Sequence, residues 1–175
     1  ASGVGNVFDH LDAFVEVFDS ISHDHSRFEI VGSYRRGAQH SGDIDIIITN
    51  SKNKSDIFKR FITALQKKGI VVELLSSGRT KSFAIGQLPG EPARRLDFMY
   101  APPDQYAFAI LYFTGSKAFN VVQRERAIEL GYTMNEHGLY KLVGDGKKKK
   151  KGARVDQPFP DERAIFDFLG LIYKT

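Results

Sequence analysis

Asp43 and Asp45 stand two apart in the run DIDIIIT, and an isoleucine-rich run of that kind reads as a β-strand. Side chains alternate along a strand, so both carboxylates project from one face. Like charges so placed repel, and the strain is relieved by a raised pKa or by a divalent cation held through hard oxygen ligands. A solvated strand face would show the same two residues, so the pair needs company before it signals chemistry. Three features supply it. Gly32-Ser33 falls where the apolar strand Phe28 to Val31 gives way to a polar turn, with nine residues between Ser33 and Asp43. Glycine lets a ligand approach the backbone, exposed N–H groups favour phosphate, and Arg36 in the same turn adds a cation for a phosphate oxygen. Gly42 removes side-chain bulk directly beside Asp43. Asp97, in Arg94-Arg95-Leu96-Asp97-Phe98, is an aspartate inside another strand, where that residue type is disfavoured. Three strand carboxylates next to a phosphate-binding turn are the set needed to hold two Mg²⁺ ions for in-line phosphoryl transfer.

The elements that must position these residues are visible in the periodicity. Val7, Leu11, Phe14, Val15 and Phe18 are spaced as one stripe of a helix over residues 6 to 21. A second amphipathic helix is expected from Ser55 to Lys68, with Ile57, Phe58, Phe61, Ile62 and Leu65 inward and Gly69 as its stop. Strands follow at Ile70 to Leu75, Phe83 to Leu88 and Arg95 to Tyr100, and Pro102-Pro103 ends the last of them. Beyond it, Gln105 to Phe113 and Ser116 to Leu130 read as helices hinged at Thr114-Gly115. Then come a small hairpin (Tyr132 to Met134, Leu139 to Leu142), a glycine and lysine loop, and a final helix from Asp161 to Leu169. The expected fold class is α+β: a mixed sheet backed by helices over residues 1–102, then a small, mostly helical lobe over residues 103–175.

A chain of 175 residues with 42% hydrophobic side chains buries a real core. No apolar run approaches the roughly 20 residues that span a bilayer, so no membrane partner is expected. The N-terminus lacks the order of a secretory signal, which makes an intracellular location the simpler reading. With no cysteine, disulfides and thiolate metal sites are excluded. A net charge of +4 and a pI near 9.2 favour polyanionic partners. Much of the excess lies in Lys147 to Lys151, a run that reads first as a solvated loop and second as a nucleic-acid contact.

Gly32-Ser33, nine residues, Asp-Ile-Asp and a later strand aspartate match the signature of the nucleotidyltransferase superfamily. Longer stretches are more specific. GSYRRG at 32–37, SGDIDIII at 41–48, GRTKSFAIGQLPG at 78–90, RRLDF at 94–98, LYFTGSKAFN at 111–120 and ERAIFDFLGLIY at 162–173 resemble family X DNA polymerases over nearly the whole chain. The resemblance implies a catalytic palm followed by a nucleotide- and template-binding C-terminal domain, adding dNMP from dNTP to a primer 3′-hydroxyl on primer-template or gapped DNA in repair. It also implies two Mg²⁺ ions, with Mn²⁺ as a substitute. Asp43 and Asp45 would each touch both ions, Asp97 would hold the catalytic ion and take the hydroxyl proton, and Arg95 would orient Asp97 and the primer end. Gly32, Ser33, Arg36 and Gly42 would cradle the β and γ phosphates. Tyr112, Phe113 and Gly115 would pack on the deoxyribose and exclude a 2′-hydroxyl, and Asn120 would meet the base edge. DNA contacts would come from Lys81, Arg95, Arg124 and His137. By their types alone, without the Thr-Gly-Ser that follows, Tyr112 and Phe113 read as core aromatics, and the alternative for Arg124 is a solvated arginine beside Glu125 and Glu129.

The pattern also departs from the family. No lyase or helix-hairpin-helix segment precedes residue 1, so neither 5′-deoxyribose phosphate lyase activity nor a strong grip on DNA is expected, whether the chain is a minimal enzyme or a fragment. Met99 stands where polymerase beta carries a basic residue, and Lys117 where it carries an acidic one. The expected protein is a monomer, nuclear if eukaryotic, cytoplasmic or in the virion if viral. Three rivals share parts of the pattern: a template-independent terminal transferase, a nucleotidyltransferase acting on RNA ends or small molecules, and a catalytically silent DNA-binding module. Against the first stand Tyr112-Phe113, where terminal transferases have Gly-Trp, and the short 74–95 segment, which leaves no room for their long palm loop.

Overall fold

The computed structural model describes residues 7–22, 25–32 and 43–173. They belong to two units, Ala1–Pro103 and Asp104–Thr175. The first unit runs α1 (Val7–Ile21), β1 (Ser26–Val31), β2 (Asp43–Asn50), α2 (Asp56–Lys67), β3 (Val71–Ser77), β4 (Lys81–Gly86) and β5 (Arg94–Tyr100). Its sheet has the order β1-β2-β5-β4-β3, antiparallel at every pair except β2 with β5, which run parallel.

Alternation divides this sheet into an apolar and a charged face. Ile44, Ile46 and Ile48 of β2, Ala84 of β4 and Leu96, Phe98 and Tyr100 of β5 share one side, buried with Phe14 and Phe18 of α1 and Phe58, Phe61 and Leu65 of α2. Asp43, Asp45, Arg95 and Asp97 hold the intervening positions. All five apolar residues expected to point inward from α2 are buried. The stripe of α1 is rotated from the expected one: Val15 is 40% exposed and Val17 is buried beside Phe14 and Phe18. The spacing Phe14, Val17, Phe18 is itself helical, so the choice between Val15 and Val17 was made by the sheet beneath. The side chain of Val7 lies outside the described residues.

The second unit contains α3 (Tyr106–Thr114), α4 (Lys117–Glu129), β6 (Tyr132–Asn135), β7 (Gly138–Val143), β8 (Lys150–Arg154) and α5 (Glu162–Leu169). Phe108 and Leu111 of α3, Ala127 of α4, Leu139 of β7 and Ile165, Phe166 and Leu169 of α5 form its core. Asp161 caps α5, its carboxylate accepting from the Ala164 N–H at 2.9 Å, and Gly170 closes it at φ 69°. The lysine run is not the loop expected from its composition. Gly146–Lys148 form a 3₁₀ turn, and Lys150 and Lys151 enter β8, the third strand of an antiparallel sheet ordered β6-β7-β8. No described helix is long and apolar enough to cross a membrane.

Candidate active site

The parallel ladder between β2 and β5 sets Asp45 opposite Asp97 and Asp43 opposite Arg95. Partners across a ladder project to the same side, so these four side chains form one group on the face turned away from the helices. Asp43 is exposed, while Asp45 and Asp97 are half-buried. β1 ends at Val31, opposite Asp45. Gly32 follows at φ 75°, the left-handed region that glycine enters without strain. Ser33, Arg36 and Gly42 lie outside the described residues.

Burial, then the negative charges of Asp97 and Asp43, push the Asp45 carboxyl up from 3.8 to about 6, against a smaller opposing pull from Arg95. The Arg95 Nε donates to Asp97 Oδ1 at 2.9 Å. Its guanidinium lies 4.7 Å from the centre of the Phe83 ring, a flat apolar support for a flat cation. Phe83 pairs with Asp97 across β4 and β5. Its role escapes a reading by motif, yet alternation in KSFAIG already places it on the carboxylate side. Arg94, one residue from Arg95, points to the opposite face and is buried.

Among the described residues, no three His, Asp or Glu side chains stand closely enough to hold an ion as they are, and Arg95 occupies an oxygen of Asp97. The donor set nevertheless suits a divalent ion. Its ligands are hard oxygens, they share a face, and a cation would offset the burial and the neighbouring negative charges that lift Asp45. Lys81 opens β4, exposed and paired with the buried Met99. With methionine there, no charge is available for an ion pair at that position.

In the second unit the turn between α3 and α4 gathers most of the other predicted residues. The Tyr112 and Phe113 rings meet edge to face at 5.0 Å. The Asn120 amide donates to the Tyr112 carbonyl at 2.9 Å, and the Arg124 guanidinium lies 5.0 Å from the Tyr112 ring centre. Glu129, the acidic neighbour expected for Arg124, instead pairs with Arg126 at 3.1 Å. Ser116 caps α4, its hydroxyl oxygen accepting from the Phe119 N–H, and the Gly115–Ser116 peptide is cis. Gly115 has φ 68° and ψ −155°, a region open essentially to glycine alone. Gly115→Ala is expected to lower stability by about 1–3 kcal/mol, read from the urea midpoint; an unchanged midpoint would show that this backbone tolerates a side chain.

Tyr112, Asn120, Gln123, Arg124, Met134 and Asn135 line a shallow recess with Phe108 and Leu111. Gln123, which the motif reading passed over, is 1% exposed, and its Nε2 has no hydrogen-bond partner among the described residues. An unsatisfied buried donor costs about 1–3 kcal/mol. Gln123→Met, similar in volume and free of that donor, is therefore expected to raise stability by about 1 kcal/mol in urea denaturation. A loss would mean the amide is satisfied. His137 is outside this recess, its Nδ1 2.9 Å from Gln105 Oε1.

A mixed sheet with helices on one face and strand carboxylates on the other is the palm of a nucleotidyltransferase. Residues 6–103 match the family described as DNA polymerase beta palm, and residues 109–175 match DNA polymerase beta thumb. The chain belongs to this family, the family X DNA polymerases. It is 35% identical over 153 residues to DNA polymerase lambda of Rattus norvegicus, covering 82% of this chain and 27% of that protein. It is 31% identical over 154 residues to DNA polymerase lambda of Arabidopsis thaliana (79% and 29%). It is 27% identical over 179 residues to DNA-directed DNA/RNA polymerase mu of Homo sapiens (82% and 34%). The chain thus spans only 27% to 34% of the length of these relatives.

Proposed function

We propose that this chain is a DNA-directed DNA polymerase, extending a primer 3′-hydroxyl by one dNMP per step at the carboxylates of the first unit, in gap-filling repair. The observation that carries the reading is the in-register pair Asp45 and Asp97 on adjacent parallel strands, with Asp43 on the same face. Bound Mg²⁺ or Mn²⁺ would lower the pKa of the attacking hydroxyl and neutralise the departing pyrophosphate. Asp43, Asp45 and Asp97 would hold the ions, and Asp97 would accept the hydroxyl proton. Arg95, braced on Phe83, orients the Asp97 carboxylate and then meets the primer end. Gly32 begins the phosphate cradle that Ser33, Arg36 and Gly42 complete.

The second unit reads the nucleotide and the template. Tyr112 and Phe113 pack on the sugar, with Gly115 bringing backbone close enough to refuse a 2′-hydroxyl. Asn120, fixed by its bond to the Tyr112 carbonyl, meets the base edge, and Arg124 leaves the Tyr112 ring for the template strand. Lys81 and His137 contribute weaker DNA contacts. The turn joining β3 to β4 is only Gly78 to Thr80, which favours template dependence over the long-loop terminal transferase. Extension of a one-nucleotide-gapped duplex in Mg²⁺ tests the proposal. Incorporation of the templated dNTP is expected, with little from NTPs and none on the primer alone. Template-free addition would favour the terminal transferase, and equal use of NTPs would remove the sugar gate.

A further inference from the structure

Five of the charges behind the chain's net +4 lie in Lys147 to Lys151, so the rest of the chain is net negative. These lysines are ordered rather than trailing. Gly144 and Gly146, at φ 102° and 56°, reverse the chain between β7 and β8. A side chain at Gly144 would meet the Lys148 carbonyl oxygen at 2.8 Å. Lys147, Lys148 and Lys149 occupy the 3₁₀ turn and its exit, while Lys150 and Lys151 lie on β8. All five are exposed, and none forms an ion pair with a carboxylate among the described residues. The Lys151 ammonium rests 4.2 Å from the centre of the Tyr140 ring, which holds the end of the row in place.

Lysines on an edge strand also guard against unwanted strand pairing. That task needs charge on the strand, and it leaves the three lysines of the turn unexplained. We propose that the Lys147–Lys151 turn and strand form a binding surface for the phosphodiester backbone of duplex DNA, separate from the residues assigned to catalysis and nucleotide selection. Lysine is a flexible point charge, suited to sequence-independent phosphate contact where arginine would give bidentate geometry. A protein that works on any sequence, and whose other residues sum to a slightly negative formal charge, gains its affinity from such a row.

The inference rests on the polymerase reading for its choice of polyanion, and its test separates the two. The variant Lys147→Gln/Lys148→Gln/Lys149→Gln leaves β8 intact. Binding of a labelled duplex between 50 and 200 mM NaCl is expected to lose about 0.9 from its log–log salt slope for each phosphate contact removed, and affinity is expected to fall about tenfold or more. The matching Lys→Arg triple variant should restore both, and the rate of extension at saturating gapped DNA should be unchanged. An unchanged slope in a variant that melts like the parent overturns the proposal. So does a loss confined to binding of phosphatidylserine vesicles. If the slope falls but no variant extends a primer, the DNA surface stands and the polymerase reading fails; extension with an unchanged slope gives the reverse.

Discussion

Asp45→Asn is expected to stop primer extension and, at the same time, make the protein harder to unfold. The carboxyl is raised from 3.8 to about 6, chiefly by burial and then by Asp97 and Asp43. At pH 7.5 it is ionised in an environment that opposes its charge, and the amide removes that penalty. Partial exposure leaves a gain of about 1–2 kcal/mol out of the roughly 1.4 kcal/mol per pKa unit that a fully enclosed group would give. Catalysis should fall at least about a thousandfold, since a neutral amide neither balances a divalent ion nor helps to stabilise the departing charge. The pH dependence has a definite sign. A carboxyl whose folded pKa is raised contributes stability that is complete below 3.8 and is lost as pH rises through about 6. The advantage of the asparagine variant should therefore shrink between pH 7.5 and pH 5. Mg²⁺ affinity of the parent should fall about tenfold from pH 7 to pH 5, because the ion must displace the Asp45 proton. Thermal denaturation with and without Mg²⁺ measures both. A variant less stable than its parent would mean that Asp45 is satisfied by its neighbours rather than opposed by them.

The second large effect is expected on the face of the sheet opposite the carboxylates. Phe61 of α2 is fully buried and meets the rings of Phe14, Phe18, Phe28 and Phe98. Three of the four contacts are edge to face, and the Phe28 ring is tilted at 5.4 Å. Phe61→Ala removes the hub of this cluster and opens a cavity between two helices and the sheet, at a cost of about 3–5 kcal/mol. Domains are stable by only about 5–15 kcal/mol, so much of the margin goes. A loss of less than about 1 kcal/mol in urea denaturation would place the core elsewhere.

What the sequence shows of this fold, it shows where one element decides its own shape. The run from Asp43 needs only its isoleucines to become β2, and α2 needs only its apolar stripe. Val15 and Val17 of α1 are equally apolar, and the surface they meet chooses between them. The lysine run reads as loop because composition reports solubility, whereas its strand exists only by pairing with β7. At the candidate site the carboxylates are legible as residue types. The register that sets Asp45 against Asp97, and the support of Arg95 by Phe83, depend on which strands become neighbours. Gln123 goes unnoticed for a similar reason: burial of a glutamine on a polar helix is set by what packs over it.

β5 is the last strand of its sheet to be synthesised, yet it takes the central place, between β2 and β4. Until β5 is made, β1-β2 and β3-β4 have no strand to join them into one sheet, and Asp43 and Asp45 lack their third partner. A truncated product ending before Arg94 would lack the middle of the sheet as well as Asp97.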